Sequence, residues 1–421
     1  MLYYEKSHED ASLTSLDIEE ALLSVFKHTP AKRVLALPPD FTRYHSFAGE
    51  IVQMAEKYLG NRLTDILPAT GTHNPMTNRE IETMYGVAGM KKFRTHDWRN
   101  DIVTLGEVPA DFVAGISEGL VSYSWPAQVN RLLTSGRHDL ILSIGQVVPH
   151  EVAGMANYNK NIFIGTGGPE GINKSHFLGA VYGMERMMGR ADIPVRKLFD
   201  YASEHFASGL PLVYILTVVS TDESAKLRLR GIFVGDDREC FEKACALSLK
   251  VNFTMMDEPL HKIIVYLDPS EYKSTWLGNK AIYRTRMAIA DGGELIILAP
   301  GVATFGEDKI IDQLIRSYGY TGTGNILKKV KENNDLQANL SAAAHLIHGS
   351  SENRFRIIYC TEKLSKQEIT EAGFNHVSLK TMIKKYDPSH LKEGMNTMPG
   401  GEKVFYVPNP ALGLWACRSR Y

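Results

Sequence analysis

The sequence predicts an α/β protein of two domains, each a mostly parallel sheet with flanking helices. The chain has 421 residues, more than one ordinary hydrophobic core organises, so at least two domains are expected. Apolar runs of strand length alternate with helical patterns, which is typical of parallel strands joined by crossover helices. The early runs also end in polar turns that contain Gly or Pro.

The N-terminal part of the chain supplies most of the expected strands. In chain order they are 33–37, 65–67, 140–144, 162–164, 212–219 and 227–234. The last of them alternates Leu with Arg, as a half-exposed strand does. Gly235-Asp236-Asp237 then opens a helix that runs to about Val251, and the segment 255–261 has the turn character of a linker.

A second α/β unit follows in the sequence. Its expected elements are a strand over 262–267, a helix over 280–290 that stops at Gly292-Gly293, a strand over 294–299 and a late strand over 405–407. We therefore expect an N-terminal domain over 1–258, which residues 408–421 could rejoin, and a C-terminal domain over 259–407. Ligands of open α/β sheets bind at the carboxyl ends of the strands, so the active site is expected in the cleft between the two domains.

Composition and charge exclude several classes of function. The formal net charge is −1, and no acidic or basic excess points to nucleic acid or to a membrane surface. The N-terminus lacks a basic segment followed by an apolar run, and no apolar stretch reaches the roughly 18 residues of a spanning helix. None of the four cysteines has disulfide or zinc spacing; they are Cys240, Cys245, Cys360 and Cys417. We expect a cytoplasmic protein with reduced, buried cysteines.

Two polar turns carry candidate chemical groups after early strands. Asp40 and Arg43 follow the run 33–37 and could pair with each other or hold an anion. His73 lies in the turn 71–77, where it could act as a base or simply hydrogen-bond within the loop. Taken alone, neither turn separates a catalytic role from an ordinary structural one.

The stretch 148–176 is the most informative part of the sequence. His150, Lys160 and His176 lie in it around the Gly-rich segment Gly165-Thr166-Gly167-Gly168. Histidine offers general-base chemistry and a metal ligand, lysine offers a covalent anchor or an imine, and glycine lets a phosphate approach the backbone. These residue types alone leave three interpretations open, namely a zinc hydrolase, a pyridoxal enzyme and a purely structural role.

Taken together, these motifs resemble the lactate racemase family that uses a nickel-pincer nucleotide. The matching residues are Asp40 with Arg43, Gly71-Thr72-His73, and His150 with Lys160 ten residues on and His176 sixteen beyond that, in the family's order over roughly residues 30–180. The resemblance implies an isomerase, a 2-hydroxy acid racemase or epimerase. It also implies that carbon 2 is inverted by hydride transfer to and from a tethered cofactor, which separate cofactor-synthesis enzymes must build.

One group of matching residues is implied to hold the cofactor, the nickel complex of pyridinium-3,5-bisthiocarboxylic acid mononucleotide. Lys160 matches the lysine that tethers the nucleotide covalently, and His176 matches the protein ligand to nickel. The cofactor supplies the other donors, so one imidazole completes a square-planar site suited to Ni(II). Gly165, Thr166 and Gly167 are expected to contact the nucleotide. The resemblance thus makes 1–258 the cofactor-tethering domain and 259–407 the substrate and lid domain.

A second group matches the residues that act on the substrate. His73 and His150 match the two acid/base histidines, one for each orientation of the substrate hydroxyl. Arg43 and Lys280 match cations near the substrate carboxylate and the cofactor, and Asp40 is expected to orient Arg43 or a histidine. Moving the hydrogen as hydride avoids the very unstable dianion that proton removal beside a carboxylate would create.

The sequence departs from the family pattern at two places. Before the lysine it reads Asn157-Tyr158-Asn159, where a small, Gly-rich turn is expected. The expected aromatic–Gln pair of the C-terminal domain is Trp276-Leu277, and leucine cannot make the polar contact of a glutamine. We therefore predict a substrate larger and more hydroxylated than lactate, such as a sugar acid. Its expected contacts are Trp276, Asn279, His345 and His348, with Arg354 close by, although the two histidines could equally be an ordinary helix end.

Other functions stay open on the sequence. One alternative is a lactate racemase proper, and in that case the departure at Leu277 would not indicate a different substrate. A zinc-dependent hydrolase would use His73, His150 and His176, and zinc without a bound nucleotide would reveal it. A pyridoxal enzyme would carry an imine on Lys160, which borohydride reduction would trap. A two-domain solute-binding protein closing on an anion is disfavoured by the missing secretory signal and by the paired histidines.

Overall fold

The computed structural model describes residues 1–86, 90–222, 224 and 226–421, and the chain forms two compact units. The first unit comprises Met1–Leu178 and Met188–Asn252, and the second comprises Gly179–Met187 and Phe253–Tyr421. The second unit therefore begins slightly earlier than the expected residue 259. The expectation that 408–421 could rejoin the first domain is wrong, because these residues belong to the second unit.

The strands and helices follow the alternating order that the sequence predicts. The strands are β1 (Leu2–Ser7), β2 (Val34–Leu37), β3 (Leu63–Ile66), β4 (Ile102–Val108), β5 (Trp125–Asn130), β6 (Leu140–Gln146), β7 (Pro149–His150), β8 (Gly154–Met155), β9 (Leu212–Thr221), β10 (Leu227–Gly235), β11 (Phe253–Met256), β12 (Leu260–Tyr266), β13 (Ile289–Leu298), β14 (Arg356–Cys360), β15 (Asn375–His376), β16 (Gly394–Thr397), β17 (Lys403–Val407) and β18 (Leu414–Cys417). The α-helices are α1 (Ser15–His28), α2 (Ala48–Leu59), α3 (Asn78–Tyr85), α4 (Ala110–Ile116), α5 (Pro169–Tyr182), α6 (Met184–Met187), α7 (Pro194–Phe206), α8 (Arg238–Val251), α9 (Thr275–Gly278), α10 (Lys280–Thr285), α11 (Lys309–Tyr318), α12 (Thr323–Glu332), α13 (Asn334–Ala338), α14 (Leu340–His348), α15 (Lys366–Glu371) and α16 (Leu379–Lys385). A 3-10 segment, Phe41–Ser46, follows β2.

The first unit is built on a six-stranded sheet in the order β1-β10-β9-β6-β2-β3. The strands β3, β2, β6 and β9 are parallel, and the antiparallel strands β10 and β1 extend one edge. Apolar side chains of β6 and α2, among them Leu142, Ile144 and Ile51, share one buried core with α1. The parallel strands carry near-continuous apolar runs because helices cover the sheet.

The second unit repeats this architecture. Its six-stranded sheet has the order β15-β14-β13-β12-β17-β16, and all neighbouring strands are parallel except β16 with β17. Ile264, Ile296 and Ile358 of three neighbouring strands lie in a core cluster completed by residues of α16. The predicted fold class, two α/β units on mostly parallel sheets, is therefore confirmed.

The expected strand at 162–164 is wrong, because Asn161–Gly165 forms a π-helical turn. A short apolar run is compatible with either a buried strand or a buried helical turn, and length alone does not separate them. Here the backbone N–H of Thr166 donates to the carbonyl of Asn161 at 3.1 Å, five residues earlier, which is the hydrogen bond of a π-helical turn. Single π-turns of this kind are frequent at functional sites.

The predicted helix stop at Gly292-Gly293 is also wrong. The helix α10 ends at Thr285, and both glycines lie inside strand β13. The register with β12 shifts between the pairs Leu260–Ile289 and Lys262–Glu294, and Gly292 has φ +76 there. The glycines therefore form a β-bulge in β13, where the positive φ of Gly292 favours glycine.

The segment 255–261 is not a linker, because most of it belongs to strands β11 and β12. All four cysteines are buried and none is in a disulfide. Within the described residues, no helix is both long and apolar enough to cross a bilayer.

Candidate active site

The candidate groups of the first unit gather at the carboxyl edge of its parallel strands. Asp40 follows β2, His73 follows β3 and His150 follows β6. Because β3, β2 and β6 are neighbouring parallel strands, their carboxyl ends lie at the same edge of the sheet. This edge is where open α/β sheets bind their ligands.

Asp40 and His73 form a hydrogen-bonded pair. Asp40 Oδ2 lies 2.6 Å from His73 Nδ1, while Asp40 Oδ1 accepts from the backbone N–H of Thr42 at 3.1 Å and from its hydroxyl at 2.5 Å. A carboxylate only accepts hydrogen bonds, so His73 carries its proton on Nδ1 and has its lone pair on Nε2. The Asp40 side chain is 7% exposed and that of His73 is 28% exposed, so the buried acid orients a histidine that solutes can reach.

His150 has the opposite tautomer. Its Nδ1 accepts hydrogen bonds from the backbone N–H groups of Val152 at 3.1 Å and Ala153 at 3.3 Å. Two donors directed at Nδ1 require a lone pair there, so the neutral ring carries its proton on Nε2. That nitrogen lies 3.9 Å from Glu151 Oε1. His73 is therefore arranged to accept a proton and His150 to donate a hydrogen bond.

Lys160 directly precedes the π-helical turn, which is tied to the same sheet edge. The Asn161 amide donates to the carbonyl of Leu37 at 3.1 Å and to the hydroxyl of Ser143 at 3.0 Å. The backbone N–H of Gly71 donates to the carbonyl of Gly165 at 2.9 Å, which links the turn to the loop that carries His73. Lys160 itself is partly buried.

His176 lies on α5 and is held in the tautomer that a metal ligand needs. Its Nδ1 lies 2.8 Å from the carbonyl of Ile172, one helical turn earlier, so Nδ1 donates and Nε2 has the lone pair. Burial is the main reason why the pKa of His176 falls to about 4, and the nearby charges of Lys160 and His73 act in the same direction. The three residues therefore lie in one neighbourhood of the first unit.

The glycines expected at the cofactor have packing roles inside the unit. A Cβ at Gly167 would lie 2.0 Å from the carbonyl oxygen of Phe163, and a Cβ at Gly165 would lie 2.7 Å from Cβ of Ala69. His96, which the sequence reasoning missed, is buried with Nε2 3.0 Å from the carbonyl of Gly167. These glycines let the segment after Lys160 pack closely, and this packing accounts for them without a ligand.

The predicted substrate residues of the second unit form a buried network. His345 Nδ1 lies 2.8 Å from the hydroxyl of Tyr283, and His345 Nε2 lies 2.8 Å from that of Tyr320. The Trp276 ring packs against His345 with ring centroids 4.5 Å apart, and Asn279 Nδ2 lies 3.4 Å from His345 Nε2. The structure thus brings Trp276, Asn279 and His345 together. Sequence reasoning missed the two tyrosines, because nothing local marks them.

The remaining candidates of the second unit are also largely buried. Lys280 begins α10 and is 8% exposed, and the ring of His348 packs edge-on against Tyr283 at 5.7 Å. Leu277 is a core side chain at 7% exposure. Arg354 bonds to Glu185, to Asp291 and to main-chain carbonyls, so its hydrogen bonds hold this unit together.

The structure does not group the histidines as a zinc enzyme would. Among the residues that are described, no set of three or more His, Cys, Asp or Glu side chains could hold a metal ion. His73, His150 and His176 are therefore not arranged as three ligands of one ion, which the hydrolase interpretation requires. A single imidazole fits a metal whose other donors come from a bound molecule.

Comparison with known proteins gives a matching family model and similar solved structures. Residues 9–188 match the model of the lactate racemase N-terminal domain. A protein from Thermotoga maritima of known structure is 25% identical, with 98% of this chain and 100% of that chain covered and a TM-score of 0.83. The lactate racemase apoprotein from Thermoanaerobacterium thermosaccharolyticum is 17% identical, with 96% and 93% covered and a TM-score of 0.70. No curated protein sequence matches significantly.

Proposed function

Since the chain belongs to the lactate racemase family, we propose that it inverts carbon 2 of a 2-hydroxy acid with a nickel-pincer nucleotide held by Lys160 and His176. The observation that carries the proposal is the set of tautomers in the first unit. His73 has its lone pair on Nε2, His150 has its proton on Nε2, and His176 has its lone pair on Nε2. These are the states that a base, a hydrogen-bond donor and a metal ligand require.

The residues fit the proposed cofactor. Burial lowers the pKa of His176 and so favours the neutral ring, and the Ile172 carbonyl orients that ring, an arrangement common for histidines that bind metals. The nearby amine of Lys160 is the group that would anchor the nucleotide, and its charge acts on His176. When bound, the cofactor would take the hydrogen of carbon 2 and return it to the opposite face.

His73 is the group that would take the proton of the substrate hydroxyl. Nε2 of His73 accepts the proton, and the Asp40 carboxylate at Nδ1 stabilises the resulting imidazolium. A hydrogen bond to a charged group contributes about 1.5–3 kcal/mol. If hydrogen returns to carbon 2 while the oxygen still faces His73, the proton returns from the same nitrogen and the original isomer forms; in the inverted product the proton would come from the side of His150.

His150 would hold the substrate oxygen in its other orientation. Its Nε2–H would donate to the carbonyl or alkoxide oxygen, while the backbone N–H groups of Val152 and Ala153 hold the proton of the neutral ring on Nε2. A neutral histidine that polarises a carbonyl in this way is an established catalytic device. By the family resemblance, Arg43 and Lys280 would supply positive charge near the substrate carboxylate and the cofactor.

We further propose a substrate with more hydroxyl groups than lactate, such as a sugar acid. Two features of the second unit support this choice. Leu277 is apolar where the family pattern has a glutamine, and Asn279 Oδ1 is buried with no hydrogen bond from any described residue. A buried acceptor without a donor is costly, and a substrate hydroxyl would satisfy it.

The test uses enzyme produced together with the cofactor-synthesis enzymes. Lactate, malate, phenyllactate, 2-hydroxyglutarate and gluconate are offered as single isomers, and the appearance of the C2 epimer is followed by NMR or chiral chromatography. Product formed in D₂O should carry little deuterium at carbon 2, because the hydrogen returns within the same molecule.

The matched control is Lys160→Arg, which keeps the charge but cannot form the same tether. Inversion of none of the acids, or equal inversion by the control, would contradict the proposal. Full deuterium incorporation from solvent would overturn the hydride route. Fastest turnover of lactate would leave the racemase activity standing and remove the sugar-acid choice.

A further inference from the structure

Arg196 on α7 is a fully buried cation in the first unit. Its side chain has 0% exposure, and its guanidinium carbon lies 4.4 Å from the centroid of the Phe241 ring. A guanidinium removed from water needs hydrogen-bond acceptors, because an unpaired buried charge is strongly destabilising. The identity of these acceptors therefore shows what the residue holds in place.

Within the described residues, the four hydrogen-bond acceptors of Arg196 all belong to one short turn. Nη2 donates to the carbonyls of Met155 at 2.6 Å and Ala153 at 3.3 Å. Nη1 donates to the carbonyl of Asn157 at 3.3 Å and to the side-chain oxygen of Asn159. This turn connects His150 to Lys160, so one buried side chain holds the segment between two groups of the proposed site.

The turn needs such support because of its backbone. Asn157 and Tyr158 have φ of +64 and +57, the left-handed region that residues with a Cβ rarely adopt. They occupy positions where the family resemblance leads us to expect a small, Gly-rich turn. Arg196 binds the chain on both sides of Tyr158, through the carbonyl of Asn157 and the amide of Asn159.

The Asn159 amide extends the contact to a second residue of α7. Its Nδ2 donates to Asp200 Oδ1 at 2.7 Å while its Oδ1 accepts from Arg196. Arg196 and Asp200 are one helical turn apart, so both lie on the same face of α7. From this face they hydrogen-bond to Asn159, which directly precedes Lys160.

We propose that Arg196 is a positioning residue that holds the turn 153–159 in the conformation from which Lys160 binds the cofactor, a role that rests on the function proposed above. Lysine cannot replace it, because a single ammonium lacks the planar fork that reaches four acceptors. The hydrogen bonds of Arg196 stabilise the strained left-handed backbone conformation of Asn157 and Tyr158. Relief of that strain by glycine should therefore reduce the need for arginine.

The first measurement is amide hydrogen exchange in the cofactor-free protein. Arg196→Lys should speed exchange in 153–160 by about tenfold or more while the β6 and β9 amides change little, because opening is local. Asn159→Ser, which removes the amide between α7 and the turn, should give the same local pattern if Arg196→Lys does not fold. Wild-type exchange in this segment for both variants would overturn the proposal.

The second measurement is the yield of the mass adduct on Lys160 after co-expression with the cofactor-synthesis enzymes. Arg196→Lys should lower the yield several-fold, and Asn157→Gly added to it should restore much of the loss. Val219→Ala, a buried truncation in the same unit, is the control for general destabilisation. Equal loss of adduct in this control at an equal loss of Tm, or no rescue by the glycine, would show a merely structural role. If the wild type carries no adduct, the proposed function fails, and the exchange result still tests whether Arg196 holds the turn 153–159.

Discussion

Replacement of Asp40 by asparagine tests the assignment of His73 as the base. The carboxylate belongs to a buried residue and accepts the Nδ1–H of His73 at 2.6 Å. In Asp40→Asn the amide has a similar shape, but its NH₂ group can donate to Nδ1. The proton of the ring would then move to Nε2, the nitrogen that must accept the substrate proton.

The size of the effect follows from two contributions. The neutral hydrogen bond that favours the wrong tautomer is worth about 0.5–1.5 kcal/mol, and the charged bond lost from the imidazolium is worth about 1.5–3 kcal/mol. Together they raise the barrier by about 2–4.5 kcal/mol. Since 1.36 kcal/mol is tenfold in rate, kcat should fall by between about 30-fold and about 2 × 10³-fold.

The assays are kcat of the loaded enzyme and ¹⁵N NMR of His73 in the cofactor-free protein. The spectrum should show the proton on Nδ1 in the wild type and on Nε2 in Asp40→Asn, and the fold should be unchanged. Asp65→Asn is the matched control, because Asp65 contacts a different histidine, His138, at 2.9 Å. A kcat within threefold of wild type, or an unchanged tautomer, would refute the reasoning.

Three further predictions concern the metal, the substrate and the core. His176→Ala should remove most of the nickel while the nucleotide remains on Lys160, as metal analysis and intact mass would show; full nickel retention would contradict the ligand role. Gluconate should react faster than lactate, by up to about 10⁴–10⁵, because a site built for hydroxyls rejects an analogue that lacks them; the reverse order in steady-state rates would contradict it. Trp125→Ala should cost about 3–5 kcal/mol of unfolding free energy in urea, because Trp125 is fully buried and donates to the carbonyl of Gly171; a cost below 1 kcal/mol would be inconsistent with this packing.

The sequence predicted the sheets well because apolar runs report burial directly. The expected strand at 140–144 is confirmed as β6, which extends to Gln146, and the run 227–234 is confirmed as β10. Errors arose where local pattern is ambiguous. The run 162–164 is apolar enough for a strand, and local pattern does not report the hydrogen bonds that Asn161, at the start of its π-helical turn, makes to Leu37 and Ser143.

The sequence suggested the residue types of the candidate site but did not indicate which of them contact one another. Asp40 was expected to orient Arg43 or a histidine, and the structure shows it on His73. The tautomer of His150 depends on hydrogen bonds from two backbone N–H groups, and no sequence pattern predicts these bonds. Arg196 lies 36 residues after Lys160 in the sequence, so its contact with the turn could not be read from local spacing.

The most direct test of the central claim is the intact mass of the protein with peptide mapping and nickel analysis. Protein made with the cofactor-synthesis enzymes should gain the mass of one nucleotide, hold one nickel per chain and carry the adduct on Lys160. Protein made without them should have the mass of the bare chain and no activity. An adduct on another lysine, or none in an otherwise folded protein, would contradict the account.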